Sequence, residues 1–318
     1  MTSWGEDRDD TRPRVLTAAQ VRQLLSWPEL IAACRRALIA LAEPGGTPTG
    51  SSTQVAVPGS SLHLKAGALL DPPVLSVKAN LRPDRGSSAG AILAFDHRRQ
   101  RLEAIVASGD ITAMRTGAIA AVAAQCLHPG RQPVVALVGA GPVAGMALQA
   151  LRHVMQPVEV RIWSRDPDRS RHLAHLDGES VAVTSIAEAT RGAGLVVTCT
   201  PAREPFLMAA DVQDGAVVLA MGADSPGKRE LESALLVNAD IYVDVLADAL
   251  AVGECAHLRP VAAGISQIGE VLRDGPKATR GRVTVFDSVG SAAVDAAAVA
   301  LVLERANRDN VGVRLALD

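Results

Sequence analysis

The segment from Pro133 to Arg165 constrains the fold of this chain more than any other stretch. Residues 133–138 are almost wholly apolar and rich in β-branched side chains, which is typical of a parallel strand buried on both faces. Gly139-Ala140-Gly141 then turns the chain, and helix-compatible apolar positions continue from Val143 to Val154. The segment therefore predicts a strand, a tight turn, a helix and a second strand.

The Gly-x-Gly-x-x-Ala spacing in this segment predicts a dinucleotide site. Gly139 permits the turn, Gly141 lets backbone N–H groups approach a pyrophosphate, and Ala144 allows close packing of strand and helix. We expect the phosphate beside Pro142 and Val143, at the N-terminus of the helix, because the unpaired N–H groups of the first turn after the proline favour an anion. Glycines alone are weak evidence, but their position between a strand and a helix is what the motif requires.

The end of the second strand bears on the choice of cofactor. An NAD site usually offers Asp or Glu at this point, whereas an NADP site tends to offer Arg and no carboxylate. Ser164 and Arg165 stand here and can hydrogen-bond a 2′-phosphate, so we predict NADP. NAD stays the alternative because Asp166 and Asp168 follow closely. Arg165 itself is also compatible with a solvated charge in a loop that binds no phosphate.

Length and composition limit the remaining possibilities. A chain of 318 residues with 48% apolar content predicts two domains with two buried cores. A net charge of −2 and 2% aromatic residues argue against a nucleic-acid surface. The longest apolar stretches, such as residues 117–126, are too short to span a bilayer. Residues 1–14 are acidic and polar, which predicts a disordered arm and no signal peptide.

The cysteines and histidines show no metal-ligand spacing. Cys34, Cys126, Cys199 and Cys255 are widely separated, without a C-x-x-C pair, and the seven histidines are scattered. This pattern is typical of reduced, buried thiols in a cytosolic protein. We therefore predict a cytoplasmic location and no metal.

The order of the predicted elements gives the fold class. Two helices after Thr17 precede five short β segments between residues 54 and 107, whose turn residues predict an antiparallel meander, and a helix at 109–127 follows. After the glycine turn, strands and helices alternate, including a helix at 230–235, up to a final helix at 291–305. The predicted fold is α/β: a Rossmann-type doubly wound parallel sheet with a second α+β domain built on an antiparallel sheet.

Basic residues in apolar surroundings are candidates for a binding site. Lys78 lies in a β segment, where alternation places it on one face with Ser76 and Asn80; an exposed strand lysine is the alternative. Lys65, in another β segment, raises the same question. Arg115 lies in the first turns of a buried helix and needs an anionic partner, either a structural carboxylate or a substrate.

Asp224 is the candidate for proton transfer. It follows an apolar strand and enters a Pro-Gly turn next to Lys228. In one interpretation it only caps the loop. In the other, a partly desolvated carboxylate beside a nicotinamide is suited to acid–base chemistry.

Five motifs of the chain form a recognisable set: S-V-K at 76–78, D-I-T-A-M-R-T-G-A at 110–118, G-A-G at 139–141, G-A-D-S-P-G-K-R-E-L at 222–231 and F-D-S-V-G at 286–290. Together they resemble the ornithine cyclodeaminase/mu-crystallin family, in the same order and spacing from about residue 15 to residue 306. The resemblance implies a Rossmann domain (129–288), a substrate-binding and dimerisation domain (1–128 plus 289–318) and a homodimer. It also implies NAD or NADP as cofactor, and amino acids or their imines as substrates.

Carried over position by position, the resemblance implies the site residues. Lys78 and Arg115 match residues that grip the substrate carboxylate, Asp224 matches the acid/base aspartate, and Val289 matches a residue that borders the substrate. Residues 160–165 resemble the same run in an NADPH-dependent ketimine reductase of the family, which supports NADP. Beyond the glycine turn, the predicted cofactor contacts are Ser164, Arg165, Thr200, Met221, Lys228 and Ser288.

One departure from the family pattern affects the substrate. Members that act on α-amino acids usually have a further carboxylate-binding arginine before the second strand, and residues 46–54 contain none. The corresponding position is close to Ser52, and Lys65 is the candidate to replace the missing charge. The substrate is therefore held differently, or is not a plain α-amino or α-imino acid.

Three functions remain open from the sequence. The leading hypothesis is an NADPH-dependent imine (ketimine) reductase, equivalently an amino-acid dehydrogenase, acting on a small imino or amino acid. The second is an ornithine- or lysine-type cyclodeaminase that recycles tightly held NAD. The third is a non-catalytic protein that binds NADP and a ligand.

Overall fold

The computed structural model describes residues 12–45, 50–83, 88–128, 130, 132–258, 264–275 and 281–316. The first half of the chain forms, in order, β1 (Arg14–Leu16), α1 (Ala18–Leu24), α2 (Trp27–Ala42), β2 (Ser51–Val57), β3 (Ser60–Leu69), β4 (Val74–Pro83), β5 (Ala89–Asp96), β6 (Arg101–Ala107) and α3 (Ser108–Leu127).

The second half alternates between strands and helices before a long final helix and a short last strand. In order, these are β7 (Val134–Val138), α4 (Pro142–Val154), β8 (Glu159–Trp163), α5 (Pro167–Asp177), β9 (Ser180–Ala182), α6 (Ile186–Thr190), β10 (Leu195–Thr198), β11 (Val217–Ala220), α7 (Ser233–Val237), β12 (Asp240–Val243), α8 (Leu246–Val252), β13 (Ser266–Gln267), α9 (Ile268–Asp274), β14 (Thr284–Asp287), α10 (Ala292–Arg308) and β15 (Val313–Arg314).

The predicted antiparallel meander is confirmed. In the described part of the chain, a seven-stranded sheet has the order β15-β1-β6-β5-β4-β3-β2, and β2 to β6 pair antiparallel with their sequence neighbours. The parallel pairing of β1 with β6 and the antiparallel pairing of β15 with β1 were not predicted. The helix α10 packs closely against this sheet at Gly67 of β3. Any side chain at this position would clash, since its Cβ would lie 2.5 Å from the Cβ of Ala292.

The predicted disordered arm is wrong at its end. Residues 1–11 lie outside the described residues, but Arg14 begins β1 and is 2% exposed. Its guanidinium donates a hydrogen bond of 2.6 Å to the carbonyl of Val311, which ties the start of the chain to the end of α10. The polar composition of the arm gave no sign of this pairing, since the contact spans almost the whole sequence.

The predicted doubly wound sheet is also confirmed. An eight-stranded sheet of the described residues has the order β13-β12-β14-β11-β10-β7-β8-β9, and its neighbouring strands are all parallel. Every residue of β10, β11 and β14 is buried, as expected for central strands covered on both faces. The carboxyl ends of these strands carry the candidate cofactor residues.

One helix begins later than predicted, and another was not predicted at all. The helix expected at 230–235 begins at Ser233, because the N–H groups of Glu230 and Leu231 bond to the Glu254 carboxylate. The helix α5 was not predicted from its polar sequence. It is defined by its ends instead: the Asp166 side chain accepts from the N–H of Asp168, and Gly178 ends the helix in the left-handed conformation.

The chain divides into two compact units. One consists of residues 1–37, 45–115 and 291–318, and the other of residues 38–44 and 116–290. The division falls inside α3, after Arg115. The domain bounds inferred from the sequence stay a prediction. None of the described helices is long and apolar enough to cross a membrane.

Candidate active site

The glycine turn after β7 has the geometry of a phosphate-binding loop. Gly139 has a φ of +121°, and a Cβ there would lie 2.6 Å from the carbonyl oxygen of Cys199, so only glycine fits. Gly141 precedes α4 as its extended N-cap and Pro142 occupies the first turn, without a side chain that caps the helix. The first N–H groups of a 13-residue helix are therefore offered to an anion.

Just after β8, the basic residue Arg165 is followed by two acidic residues that have ion-pair partners of their own. Arg165 is exposed and has no hydrogen-bond or ion-pair partner among the described residues. The Ser164 hydroxyl donates to the carbonyl of Asp166. Asp166 caps α5 and lies 3.5 Å from the Nε of Arg169, while Asp168 pairs with Arg171. Both carboxylates thus have local partners at the start of α5.

Lys78 and Arg115 meet on one buried carboxylate. The Nζ of Lys78 lies 2.6 Å from Oδ2 of Asp295, and the Nε of Arg115 lies 2.8 Å from Oδ1. Lys78 is buried together with Ser76 and Asn80, which confirms the predicted face and makes the exposed-lysine alternative wrong. Of the two partners considered for Arg115, the structure supplies the structural carboxylate.

Burial and the neighbouring charges shift the pKa values of Lys78 and Asp295 in opposite directions. Burial lowers the pKa of Lys78 to about 7, with Arg115 and Lys65 acting in the same direction and Asp295 against them. Burial raises the pKa of Asp295, but the two cations outweigh it and hold that pKa near 2. Asp295 is therefore ionised, and Lys78 changes charge near neutral pH.

Lys65 lies beside this cluster. It pairs in register with Lys78 on one side and with Ser52 on the other, so the three residues share one face of the sheet. Lys65 is half-buried and acts electrostatically on both Lys78 and Asp295. This register places Lys65 directly opposite Ser52, the residue close to which the further arginine of the family pattern was expected.

Asp224 lies in a short loop after β11. One of its carboxylate oxygens, Oδ1, accepts from the Nζ of Lys228 at 2.6 Å and from the hydroxyl of Ser225 at 2.9 Å. Lys228 also donates to the carbonyl of Gly222 at 3.4 Å. Asp224 is half-buried, with 26% of its side chain exposed, so a bound molecule can reach it.

Glu230, which was not among the predicted site residues, ties the candidate loops together. Its Oε1 accepts from the N–H and the hydroxyl of Thr200, both at 2.7 Å. Its Oε2 accepts from the Thr198 hydroxyl at 2.6 Å and from the Gly222 N–H at 2.9 Å. One fully buried carboxylate therefore joins the carboxyl end of β10 to that of β11, two residues before Asp224.

Asp244 joins two strand ends in the same way: it follows β12, and its side chain bonds to the residues that follow β14. Its carboxylate accepts from the Ser288 hydroxyl at 3.0 Å, from the Val289 N–H at 3.3 Å and from the Gly290 N–H at 2.5 Å. Ser288 and Val289 are buried, as is Met221 after β11. Ser288 and Val289 are thus fixed by hydrogen bonds to Asp244, and the roles of all three residues toward a ligand stay predictions.

The sequence profile of the ornithine cyclodeaminase/mu-crystallin family matches residues 86–310 of this chain, which is more than half of its length. The chain belongs to that family. The recognition made from the five motifs is thereby confirmed, and those at 110–118, 139–141, 222–231 and 286–290 lie within the matched residues.

Relatives in the family include enzymes that reduce C=N bonds. The ketimine reductase mu-crystallin of Macropus fuliginosus is 34% identical over 67% of this chain and 68% of its own. The iminosuccinate reductase of Paracoccus denitrificans is 32% identical over 69% of this chain and 71% of its own. A solved archaeal alanine dehydrogenase dimer with bound NAD superposes with a TM-score of 0.88 at 26% identity, covering 96% of this chain and all of that one.

The family member described here brings its predicted residues together in separate groups. Lys78, Arg115 and Lys65 gather around Asp295 in the first unit. Asp224, Lys228 and Thr200 are linked through Gly222 and Glu230 in the second unit, which also contains the glycine turn. Within the described ranges, no three His, Cys, Asp or Glu side chains form a group that could hold a metal.

Proposed function

We propose that this chain is an NADPH-dependent reductase of small imino acids, equivalently an amino-acid dehydrogenase in the opposite direction. The observation that carries the proposal is Arg115. It is 5% exposed, its Nε bonds to Asp295, and its two terminal nitrogens have no hydrogen-bond partner among the described residues. Two guanidinium nitrogens without a protein partner, on a side chain that is otherwise buried, can bind a ligand anion, and a carboxylate has the matching geometry.

Each residue then has a role in the reaction. Lys78 and Arg115 bind the substrate carboxylate, with about 1.5–3 kcal/mol for each charge-assisted hydrogen bond. Lys65 adds positive charge where the family pattern has its further arginine. Asp224 holds the proton that the imine nitrogen receives, and Lys228 fixes the orientation of that carboxylate. The reduced nicotinamide, when bound, supplies the hydride.

The dinucleotide is held by residues of the second unit. Gly141 and Val143 would present N–H groups to the pyrophosphate, and Gly139 and Pro142 would shape the turn that leaves room for it. Thr200, Met221, Lys228 and Ser288 border the nicotinamide half. Ser164 and Arg165 contact the 2′-phosphate and select NADP over NAD.

Replacing Arg165 with Ala is expected to raise the KM for NADPH by roughly 10- to 100-fold, because one charge-assisted contact is lost. The KM for NADH should change less than about threefold, since NADH has no 2′-phosphate. Steady-state kinetics with each cofactor measure the two values. Arg169→Ala is the matched control, because Arg169 pairs with Asp166 in the same helix turn. Equal effects on both cofactors would show that Arg165 does not read the phosphate.

A reductive screen tests the function itself. The protein is mixed with NADPH and a panel of 2-oxo acids together with ammonia or methylamine, and loss of NADPH is followed. The proposal requires consumption that depends on both the oxo acid and the amine. Release of ammonia from ornithine or lysine without net change in the cofactor would instead identify a cyclodeaminase. Tight NADPH binding without turnover on any mixture would identify a binding protein.

We also propose that the chain forms a homodimer through the outer face of its antiparallel sheet. Leu75, Leu81 and Leu93 alternate with buried residues on β4 and β5 and are 36–47% exposed. A row of exposed leucines on a sheet face is typical of a surface covered in an assembly. Light scattering should give twice the mass of the chain, and a monomer at micromolar concentration would contradict this arrangement. The cytoplasmic location stays a prediction.

A further inference from the structure

We propose that Asp295 is the positioning residue of the carboxylate-binding pair, holding Arg115 through its Nε and Lys78 through its Nζ so that both cations present their remaining donors to a ligand. This inference rests on the proposed function, because it assigns a task to a residue behind Lys78 and Arg115. Asp295 itself does not touch the substrate in this scheme.

The geometry of the ion pairs supports the assignment. Asp295 lies in the first turn of α10, Lys78 in the middle of β4 and Arg115 in α3, so three separate elements converge on one side chain. Each Asp295 oxygen takes one cation, at 2.6 Å and 2.8 Å. Because the carboxylate uses the Nε of Arg115, the fork formed by the two terminal nitrogens is left for a second carboxylate.

The charge balance of the cluster favours an anionic ligand. Asp295 is 1% exposed and is the one carboxylate that pairs directly with Lys78 and Arg115 in the described part of the chain. Lys65 adds a third positive charge nearby on β3. Asp295 offers one negative charge to the two cations that it pairs with, so an anionic ligand can supply the second negative charge.

Asp295 also sets the protonation of Lys78. The groups that face Lys78 are Asp295 on α10, Arg115 on α3 and Lys65 on β3, and Ile92 stands opposite it on β5. Cys34 on α2 is close to Arg115 and Asp295, and burial raises its pKa to about 12, so this thiol stays neutral. Among these groups Asp295 alone favours the ammonium form. Without it, Lys78 loses its proton at a lower pH.

The small number of lysines makes a direct test possible. The chain contains Lys65, Lys78, Lys228 and Lys277 and no other lysine. Protein labelled with 13C at the lysine ε carbons therefore gives four signals, and Lys78→Met identifies the one from Lys78. Its titration is recorded with NADP⁺ present, in the wild type and in Asp295→Asn. This readout needs no substrate and no turnover.

The expected result is a Lys78 midpoint near pH 7 in the wild type, which falls by about one unit or more in Asp295→Asn. Glu29→Gln is the matched control, since it removes an ion pair with Arg305 on the same helix and should leave the midpoint unchanged. An unchanged midpoint in folded Asp295→Asn overturns the proposal. If that variant does not fold, Asp295→Glu decides. It keeps the charge but displaces it by one methylene, so the midpoint should still fall, by less.

A binding measurement completes the test. Pyruvate, as a simple 2-oxo carboxylate, is titrated calorimetrically into the NADP⁺-bound wild type and Asp295 variants at pH 6. Its Kd should rise about tenfold or more in the variants, while the Kd of NADP⁺ stays within about twofold. Equal pyruvate affinity in folded variants would overturn the positioning role. If no pyruvate binds to any form, the proposed function is contradicted, and the Lys78 titration still decides the role of Asp295.

Discussion

Replacing Asp224 with Asn is expected to lower kcat by roughly 10²- to 10⁴-fold, which is the usual share of a general acid or base. Asn has the shape of Asp and can still accept hydrogen bonds from Lys228 and Ser225. It cannot deliver a proton to the imine nitrogen. Because the loop should keep its conformation, the Kd of NADPH should stay nearly unchanged. Steady-state rates and a fluorescence titration of NADPH measure the two quantities.

A matched variant separates proton transfer from loop structure. Ser225→Ala removes the hydroxyl that bonds to Asp224 at 2.9 Å and leaves the carboxylate in place. Its kcat should lie within about fivefold of the wild type, since the carboxylate and its bond to Lys228 remain and only one hydrogen bond from an uncharged donor is lost. If Asp224→Asn keeps a rate close to the wild type, Asp224 has no part in the mechanism. If both variants lose activity equally, the loop conformation is the cause.

The architecture could be predicted because its determinants are local in sequence. The glycine turn at 139–141, the buried apolar run before it and the turn residues between the β segments each act within a few residues. The pairing of β1 with β6 and β15 could not be predicted in this way. The strands concerned have three and two residues, and their partners lie about 90 and 300 positions away.

The site residues also differ in whether their signals are local in the sequence. Lys78 and Arg115 were found because a charge in an apolar strand or helix needs an explanation. Asp295 is the corresponding acid, in the alanine-rich first half of α10, but it lies 217 residues from Lys78. The scarcity of lysine was a further signal for the candidate site. Only four of the 32 basic residues are lysines, and three of these four are Lys65, Lys78 and Lys228. Glu230 stood inside a recognised motif, yet its four hydrogen bonds depend on strands that meet only in the fold.

The buried carboxylates of the second unit should make stability depend on pH. Burial raises the pKa of Glu254 to about 8 and that of Asp287 to about 7. The folded state therefore holds protons that the unfolded chain has already released, and the free energy of unfolding falls as pH rises from about 5 to 7. Lys78 does not contribute in this window, since its pKa is lowered only to about 7 and its effect lies above that pH. Denaturation at several pH values measures the slope, which Glu254→Gln should reduce by up to about 1.4 kcal/mol per unit.

Glu230→Gln is expected to lower the free energy of unfolding by about 2–4 kcal/mol and to weaken cofactor binding at the same time. Burial raises the pKa of Glu230, but its four donors favour the carboxylate. The amide group would turn an N–H donor toward the Gly222 or the Thr200 N–H and leave it unpaired. Glu254→Gln is the control at neutral pH, because Glu254 accepts two hydrogen bonds and already holds its proton.

The free energy of unfolding, the Kd for NADPH and kcat should therefore be compared between Glu230→Gln and Glu254→Gln. Glu230 links Thr200 to Gly222, so its loss should disturb the predicted cofactor contact and the Asp224 loop together, with a higher Kd for NADPH and a lower kcat. Glu254 holds only the backbone of Glu230 and Leu231, so its loss should cost less than about 2 kcal/mol and little activity. Equal losses in both variants would mean that the cluster supports the fold alone. A selective loss in Glu230→Gln would show that this carboxylate sets the geometry of both loops.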